Sequence, residues 1–181
     1  MKTVSKIAVQ LTVAWLLLQL PFLTAADTKA VPQAPIPSQI LEAKKIFIAN
    51  AGEDEMVELQ PRFSGGSDRA YNQFYAAMKS WGRYQIVSAP AEADLLLETE
   101  VSVMAVEPSG KSGDSYTPLF RLKIRDPKTN AILWGFNVHA QFGLGQGASD
   151  KVFDQAVNRL VADVQALAGR APVPPDGAAT P

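Results

Sequence analysis

Two stretches of alternating apolar and polar residues flank a turn-forming segment in the second half of the chain. Alternation with a period of two is typical of strands that bury one face. Between the stretches, Asp126, Pro127 and Asn130 favour a tight turn, because Asp accepts backbone hydrogen bonds, Pro presets a turn angle and Asn tolerates the left-handed region. The pattern therefore predicts a β-hairpin. Its apolar positions are Phe120, Leu122 and Ile124, then Trp134, Phe136, Val138 and Ala140.

The polar side of this hairpin predicts a charged sheet face. Every second residue of the first stretch is basic, and we call Arg121, Lys123 and Arg125 the basic row. A long alternation over residues 93–106 predicts another strand, with Glu98 and Glu100 on its polar side. If the two strands are antiparallel neighbours, the carboxylates face the basic row. Each such pair contributes about 0.2 to 1 kcal/mol, which is enough to favour a register.

Apolar residues at helical spacing predict two helices. The first covers residues 67–81, where Tyr71, Phe74 and Met78 share one face. Ser67 is its expected amino-terminal cap, and Gly82 follows its end. The second is expected over residues 150–168, with Gly169 after it.

The order of the predicted elements gives the fold class. Apolar runs at residues 45–49 and 84–88 predict two more strands. The chain then reads strand, helix, three or four strands, helix. Packing both helices on one face of a sheet buries all the apolar stripes. We predict an α+β, two-layer domain with a mixed, largely antiparallel sheet of about five strands and two helices on one face.

The two ends of the chain differ in composition from this domain. Residues 1–26 combine Lys2 and Lys6 with a following apolar run and small residues before the expected cleavage site, which predicts a signal peptide. The alternative is an uncleaved inner-membrane anchor over residues 7–26, which is long enough to span a bilayer. We predict a flexible linker at 27–39, a single domain at 40–168 and a disordered, proline-rich tail at 169–181.

Composition narrows the function classes. The formal net charge is −1, so no excess of positive charge is present to recruit nucleic acid. The chain has no cysteine, which excludes disulfides, thiolate metal sites and an amino-terminal lipid anchor on cysteine. The single histidine, His139, lies on the polar side of a predicted strand, and no G-x-S-x-G motif accompanies it. We expect neither a zinc site nor a serine triad.

Two glycine-containing segments resemble nucleotide-binding motifs only in part. In FGLGQGASDK, Gly143, Gly145 and Ala148 fit the G-x-G-x-x-G/A pattern, but no further strand follows the helix. In PSGKSGD, Ala105 replaces the first glycine of a phosphate loop, and a strand follows where a helix is required. We predict no dinucleotide and no other cofactor.

One acidic segment leaves an enzymatic alternative open. Glu53, Asp54, Glu55 and Glu58 could bind calcium or act as an acid and base pair. Their spacing matches no EF-hand, and an exposed run of charge is usually solvated. We predict no metal site and no catalytic residue. The alternative is a periplasmic hydrolase that uses Glu53 and Glu58.

Several motifs together resemble a group of small exported bacterial envelope proteins. They are the IFIAN strand, the helix that ends at Trp81-Gly82, the strand that opens with ADLL and the DPKTNAILW hairpin. The group comprises domains of unknown function related to the α/β domains of CsgG, LpoB and the amino-terminal part of TolB. The resemblance implies a non-enzymatic periplasmic or secreted module that binds envelope proteins. The expected binding surface is the basic row and a mobile loop with Gly143, Gly145 and Gly147.

Overall fold

A computed structural model describes residues 34–53, 63–106 and 115–170. The predicted signal peptide or anchor, most of the linker and tail, and the acidic residues Asp54, Glu55 and Glu58 lie outside these ranges. The five strands are β1 (Lys45–Glu53), β2 (Gln85–Ile86), β3 (Leu95–Val106), β4 (Ser115–Arg125) and β5 (Ile132–His139). The helices are α1 (Ser38–Glu42), α2 (Arg69–Trp81) and α3 (Gln146–Ala168), with a short 3-10 turn at Pro90–Glu92.

The five strands form one sheet in the order β2-β1-β3-β4-β5. Both pairings of β1 are parallel, whereas β3 with β4 and β4 with β5 are antiparallel. The antiparallel pairings are the longer ones, and β3 with β4 extends over the whole of β4. The predicted fold class, a mixed and largely antiparallel sheet in an α+β domain, is confirmed.

Helices α2 and α3 pack on the same face of this sheet. Their buried side chains, including Phe74, Met78 and Phe153, join one core with the inward residues of β1, β3 and β4. Phe120, Leu122 and Ile124 are fully buried there, as the alternation predicts. The apolar residues of β5 are half-buried and pack against the same core. None of the described helices has the length and apolar character that a bilayer span requires.

The hairpin turn has the chemistry that its residues predict. Asp126 accepts hydrogen bonds from the Lys128 N–H at 2.9 Å and the Thr129 hydroxyl at 2.8 Å. Asn130 has a φ of 59°, the left-handed conformation that asparagine tolerates. These bonds close the turn and fix the register of β4 against β5.

Some element boundaries differ from the predictions. Asp68, rather than Ser67, precedes α2, and its carboxylate accepts a hydrogen bond from the Asn50 side chain instead of capping the helix. Helix α3 begins at Gln146, four residues earlier than expected. Strand β2 has only two residues. Helix α1 begins at Ser38, within the last two residues of the predicted linker, because Ile36 and Ile40 pack on the core.

Candidate partner-binding surface

The basic row lies on the face of the sheet opposite the helices. The register places Lys123 directly opposite Glu98, and Arg121 opposite Glu100. Arg125 is next along β4 and reaches Glu98 diagonally, with Nε 2.6 Å from Oε2. The predicted antiparallel pairing of acidic and basic residues is therefore confirmed.

These five side chains form one connected set of ion pairs, which we call the charged lattice. Glu100 accepts from Arg121 Nη1 at 3.0 Å and from Lys123 Nζ at 2.7 Å. Lys123 Nζ also lies 3.8 Å from Glu98 Oε1. Because each side chain is at most 34% exposed, the charges are held in fixed positions and only partly hydrated.

Glu100, the carboxylate at the centre of the lattice, has its pKa shifted by its basic partners. The hydrogen bond from Lys123, with that from Arg121, holds the pKa of Glu100 below its usual value of 4.5, although burial acts in the opposite direction. A carboxyl group with a lowered folded-state pKa stabilises the fold above its unfolded-state pKa. That contribution is lost as the pH falls from about 4.5 through the folded-state pKa.

Glu100→Gln is therefore expected to reduce stability by about 1 kcal/mol at pH 7, because it removes two cross-strand ion pairs. The difference from the parent protein should be smaller at about pH 3 than at pH 7, because protonation of Glu100 below about pH 4.5 progressively removes the same ion pairs from the parent. Urea denaturation at both pH values measures this. Asp163→Asn breaks the exposed Arg159–Asp163 pair on α3 and should cost only about 0.3 to 0.5 kcal/mol at pH 7. An equal loss for Glu100→Gln at both pH values would contradict the prediction.

The glycine-containing loop lies on the other side of the sheet from the charged lattice. A Cβ on Gly143 would meet Ala148 and Ser149 of α3 at 2.5 to 2.7 Å, so the loop packs closely on the helix. Gly145 precedes α3 with a φ of 88°, and Gly147 lies within its first turn. The structure therefore gives Gly143 and Gly145 conformational roles. Their part in partner binding stays a prediction.

A polar network that the sequence reasoning missed fixes the start of α3. Arg69 donates to Asp150 Oδ1 at 2.5 Å and to Asp154 Oδ1 at 2.6 Å. Asp150 also accepts from the Ser64 N–H and hydroxyl, at 2.8 and 2.9 Å. These bonds, from Ser64 and then Arg69, hold the pKa of Asp150 below its usual value. The only sequence signal was the i, i+4 spacing of Asp150 and Asp154 on one side of a helix.

The other residues considered for chemistry are not brought together. His139 is exposed at the end of β5, opposite Leu119. The Glu53 backbone ends β1, and the rest of the acidic segment lies outside the described residues. In the described ranges, no group of three or more histidine, aspartate or glutamate side chains is arranged to hold a metal ion.

One polar cleft of about 440 Å³ lies between α1, the start of β3 and the hairpin turn, and Lys44, Asp94 and Lys128 are among its lining residues. Asp94 accepts two backbone hydrogen bonds, from the N–H groups of Lys44 and Lys45, both at 2.9 Å. These bonds lower the pKa of Asp94. Its carboxylate therefore ties β1 to the start of β3.

No protein-family model and no curated protein matches the chain. Solved structures with a similar arrangement include the PelC dodecamer from Paraburkholderia phytofirmans, at 13% identity and a TM-score of 0.42, covering 74% of this chain and 94% of that one. Protein XCC0632 from Xanthomonas campestris is 14% identical, with a TM-score of 0.45 and coverages of 74% and 88%. The LpoB C-terminal domain from Salmonella enterica is 13% identical, with a TM-score of 0.33 and coverages of 54% and 82%.

The predicted resemblance to envelope α/β domains that include LpoB is confirmed. The similarity is confined to the general arrangement of sheet and helices. The resemblance to CsgG and TolB stays a prediction.

Proposed function

We propose that this protein is a non-enzymatic interaction or assembly module of the bacterial envelope, exported to the periplasm or secreted, and that it binds a protein partner through the charged lattice. Export is inferred from the amino-terminal signal pattern. The observation that carries the binding proposal is that Arg121, at the margin of the lattice, is partly exposed and donates only one hydrogen bond among the described residues.

Arg121 is the most exposed member of the lattice, with 34% of its side chain accessible. Its Nη1 donates to Glu100, and no other hydrogen bond of its guanidinium occurs among the described residues. A guanidinium has five N–H donors in a fixed fork. Because Glu100 already holds the side chain in place, the remaining donors are oriented before a partner arrives, which lowers the entropic cost of binding.

The charge of the lattice indicates the chemistry of the partner. Within the lattice, three basic and two acidic side chains leave an excess of one positive charge. An arginine fork binds carboxylates in a bidentate manner. We therefore expect a partner segment with an exposed Asp or Glu, which would contact Arg121 at the margin of the lattice.

A photo-crosslinking amino acid placed at Ala49 tests this proposal. Ala49 pairs with Glu98 and shares the outer face with the lattice. In intact cells we expect crosslinks from position 49 to a defined envelope protein, and at least a fivefold weaker yield when Arg121→Gln is added. The same amino acid at Arg159, which is exposed on α3, is the matched control on the helix side.

Three results would count against the proposal. They are equal yields from positions 49 and 159, a yield that Arg121→Gln leaves unchanged, or turnover of a small substrate by the purified protein without any captured protein. Increasing salt should weaken the captured interaction, because it screens the exposed charges that attract the partner.

A further inference from the structure

Strand β5 forms one edge of the sheet, and part of its backbone faces away from β4. The Ala140 N–H donates to the Pro118 carbonyl at 3.0 Å, which fixes the phase of the hydrogen-bonded pairs between the strands. In an antiparallel ladder such pairs alternate, so Phe136 and Val138 exchange bonds with β4. The N–H and C=O groups of Gly135 and Asn137 therefore point outward. In the described part of the chain, no strand pairs with them.

The sequence of this edge lacks the features that normally prevent edge-to-edge association. Natural edge strands are short, or they carry charged residues or proline. The opposite edge, β2, is protected by its length of two residues. In contrast, β5 has eight residues, ILWGFNVH, without a charge or a proline. Its register irregularity is confined to the end near Ile132, which is 57% exposed, so the ladder is regular from Trp134 onward.

We propose that β5 pairs antiparallel with β5 of a second copy of this chain, about a two-fold axis at Phe136. This arrangement places Gly135 of each copy opposite Asn137 of the other. Each of these two pairs exchanges two backbone hydrogen bonds, as antiparallel pairs of this kind do. The five-stranded sheets then continue across the axis as one sheet.

The two edges of the sheet explain why a two-fold dimer is favoured over a chain of subunits. Head-to-tail growth would require β5 of one copy to pair with β2 of the next. Strand β2 offers only Gln85 and Ile86, which is too short a partner for an eight-residue strand. A self-complementary contact closes on itself and leaves only the short edges exposed.

The charges near the edge are compatible with this contact. Strand β5 contains no Asp, Glu, Lys or Arg, so the pairing brings no like charges of these residues opposite one another. The nearest charged strand is β4, and three strand spacings of about 4.8 Å separate the two β4 strands in the dimer. That separation exceeds the Debye length of about 8 Å at physiological salt. Each basic row is also paired with Glu98 and Glu100 of its own chain.

Sedimentation equilibrium of the exported protein tests the association directly. We expect a reversible dimer. Its dissociation constant should be at least tenfold higher for Asn137→Pro, because proline removes an N–H that points outward while every hydrogen bond to β4 is kept. Asn137→Gln is the control and should dimerise like the parent. Thermal unfolding at concentrations where every variant is monomeric verifies that Asn137→Pro is folded.

Disulfide trapping tests the register, since the native chain has no cysteine. Gly135 accepts a side chain, because the nearest atom to an added Cβ is the Leu122 carbonyl oxygen at 3.6 Å. Residues in a hydrogen-bonded antiparallel pair have Cα atoms about 5.5 Å apart, within the range that disulfides bridge. A mixture of Gly135→Cys and Asn137→Cys should therefore crosslink several-fold faster than either variant alone.

Four outcomes would overturn the proposal. The first is a monomer up to about 0.1 mM, which is well above the range of specific micromolar association. The second is a dimer that Asn137→Pro leaves intact. The third is crosslinking without preference for the mixed pair. Capture of a different protein along β5, without self-association, would also overturn it. None of these outcomes bears on Arg121, so the proposed partner site is tested separately.

Discussion

Phe153→Ala is expected to destabilise the protein by about 3 to 5 kcal/mol, the range for removing a buried phenylalanine. The Phe153 side chain is 1% exposed, and its ring packs edge-on against Phe120 and Phe63 at centroid distances of 4.9 and 5.1 Å. Its face supports the Arg69 guanidinium at 4.4 Å. The substitution therefore leaves a cavity and also removes a cation–π contact. Urea denaturation followed by circular dichroism measures the loss.

Leu144→Ala is the matched control for this experiment. Leu144 is fully exposed in the loop before α3, so its truncation should change stability by less than about 0.5 kcal/mol. Typical domains are stable by only about 5 to 15 kcal/mol, and Phe153→Ala removes a large part of that. A loss below about 1 kcal/mol for Phe153→Ala would show that this ring does not lie at the centre of the core.

The parts of the fold that sequence predicts are those set by local patterns. The hairpin follows from the period-two alternation and from Asp126, Pro127 and Asn130, whose turn preferences act within a few residues. The pairing of Glu98 and Glu100 with the basic row follows because side chains on one face of adjacent antiparallel strands must meet. This much of the charged lattice therefore follows from the sequence alone.

The element boundaries depend on contacts between distant parts of the chain. Helix α3 begins at Gln146 although Gly147 is a poor helix former. The close packing of Gly143 on the first turn, and the bonds that Ser64 makes to Asp150, hold this start in place. Ser64 and Asp150 are 86 positions apart, and no local propensity reports such a contact.

The candidate surface was predicted in two parts, and sequence alone could not show how they relate in space. The basic row lies within β4 and the glycine loop follows β5, and the sequence does not show on which side of the sheet the loop lies. The position of Phe142 shows where the loop lies, because its ring centroid is 5.3 Å from that of Phe63 on the helix side of the sheet. The chain therefore leaves β5 toward α3, and the loop lies away from Arg121.

Arg69→Met is expected to lower stability by about 2 to 3 kcal/mol. The Arg69 side chain is 12% exposed, and its guanidinium bonds Asp150, Asp154 and the Ser64 carbonyl, which links α2 to α3. Methionine retains the apolar part of the side chain but leaves the partly exposed carboxylates of Asp150 and Asp154 without their cation. A hydrogen bond between charged groups contributes about 1.5 to 3 kcal/mol. Urea denaturation and amide hydrogen exchange across the first turns of α3 measure the effect.

Arg159→Met is the control that distinguishes the effect of losing the Arg69 hydrogen bonds from the effect of losing one positive charge. Arg159 is 69% exposed and pairs with Asp163 within α3, so its replacement should cost only about 0.3 to 0.5 kcal/mol. If Arg69 holds the start of α3, exchange should accelerate at residues 149–153, the first with helical N–H bonds, in Arg69→Met. It should stay unchanged in Arg159→Met, because local opening of a helix end requires only the loss of its own contacts. Equal losses for the two variants, or exchange that accelerates uniformly along α3, would show that the network contributes charge alone and does not determine where the helix begins.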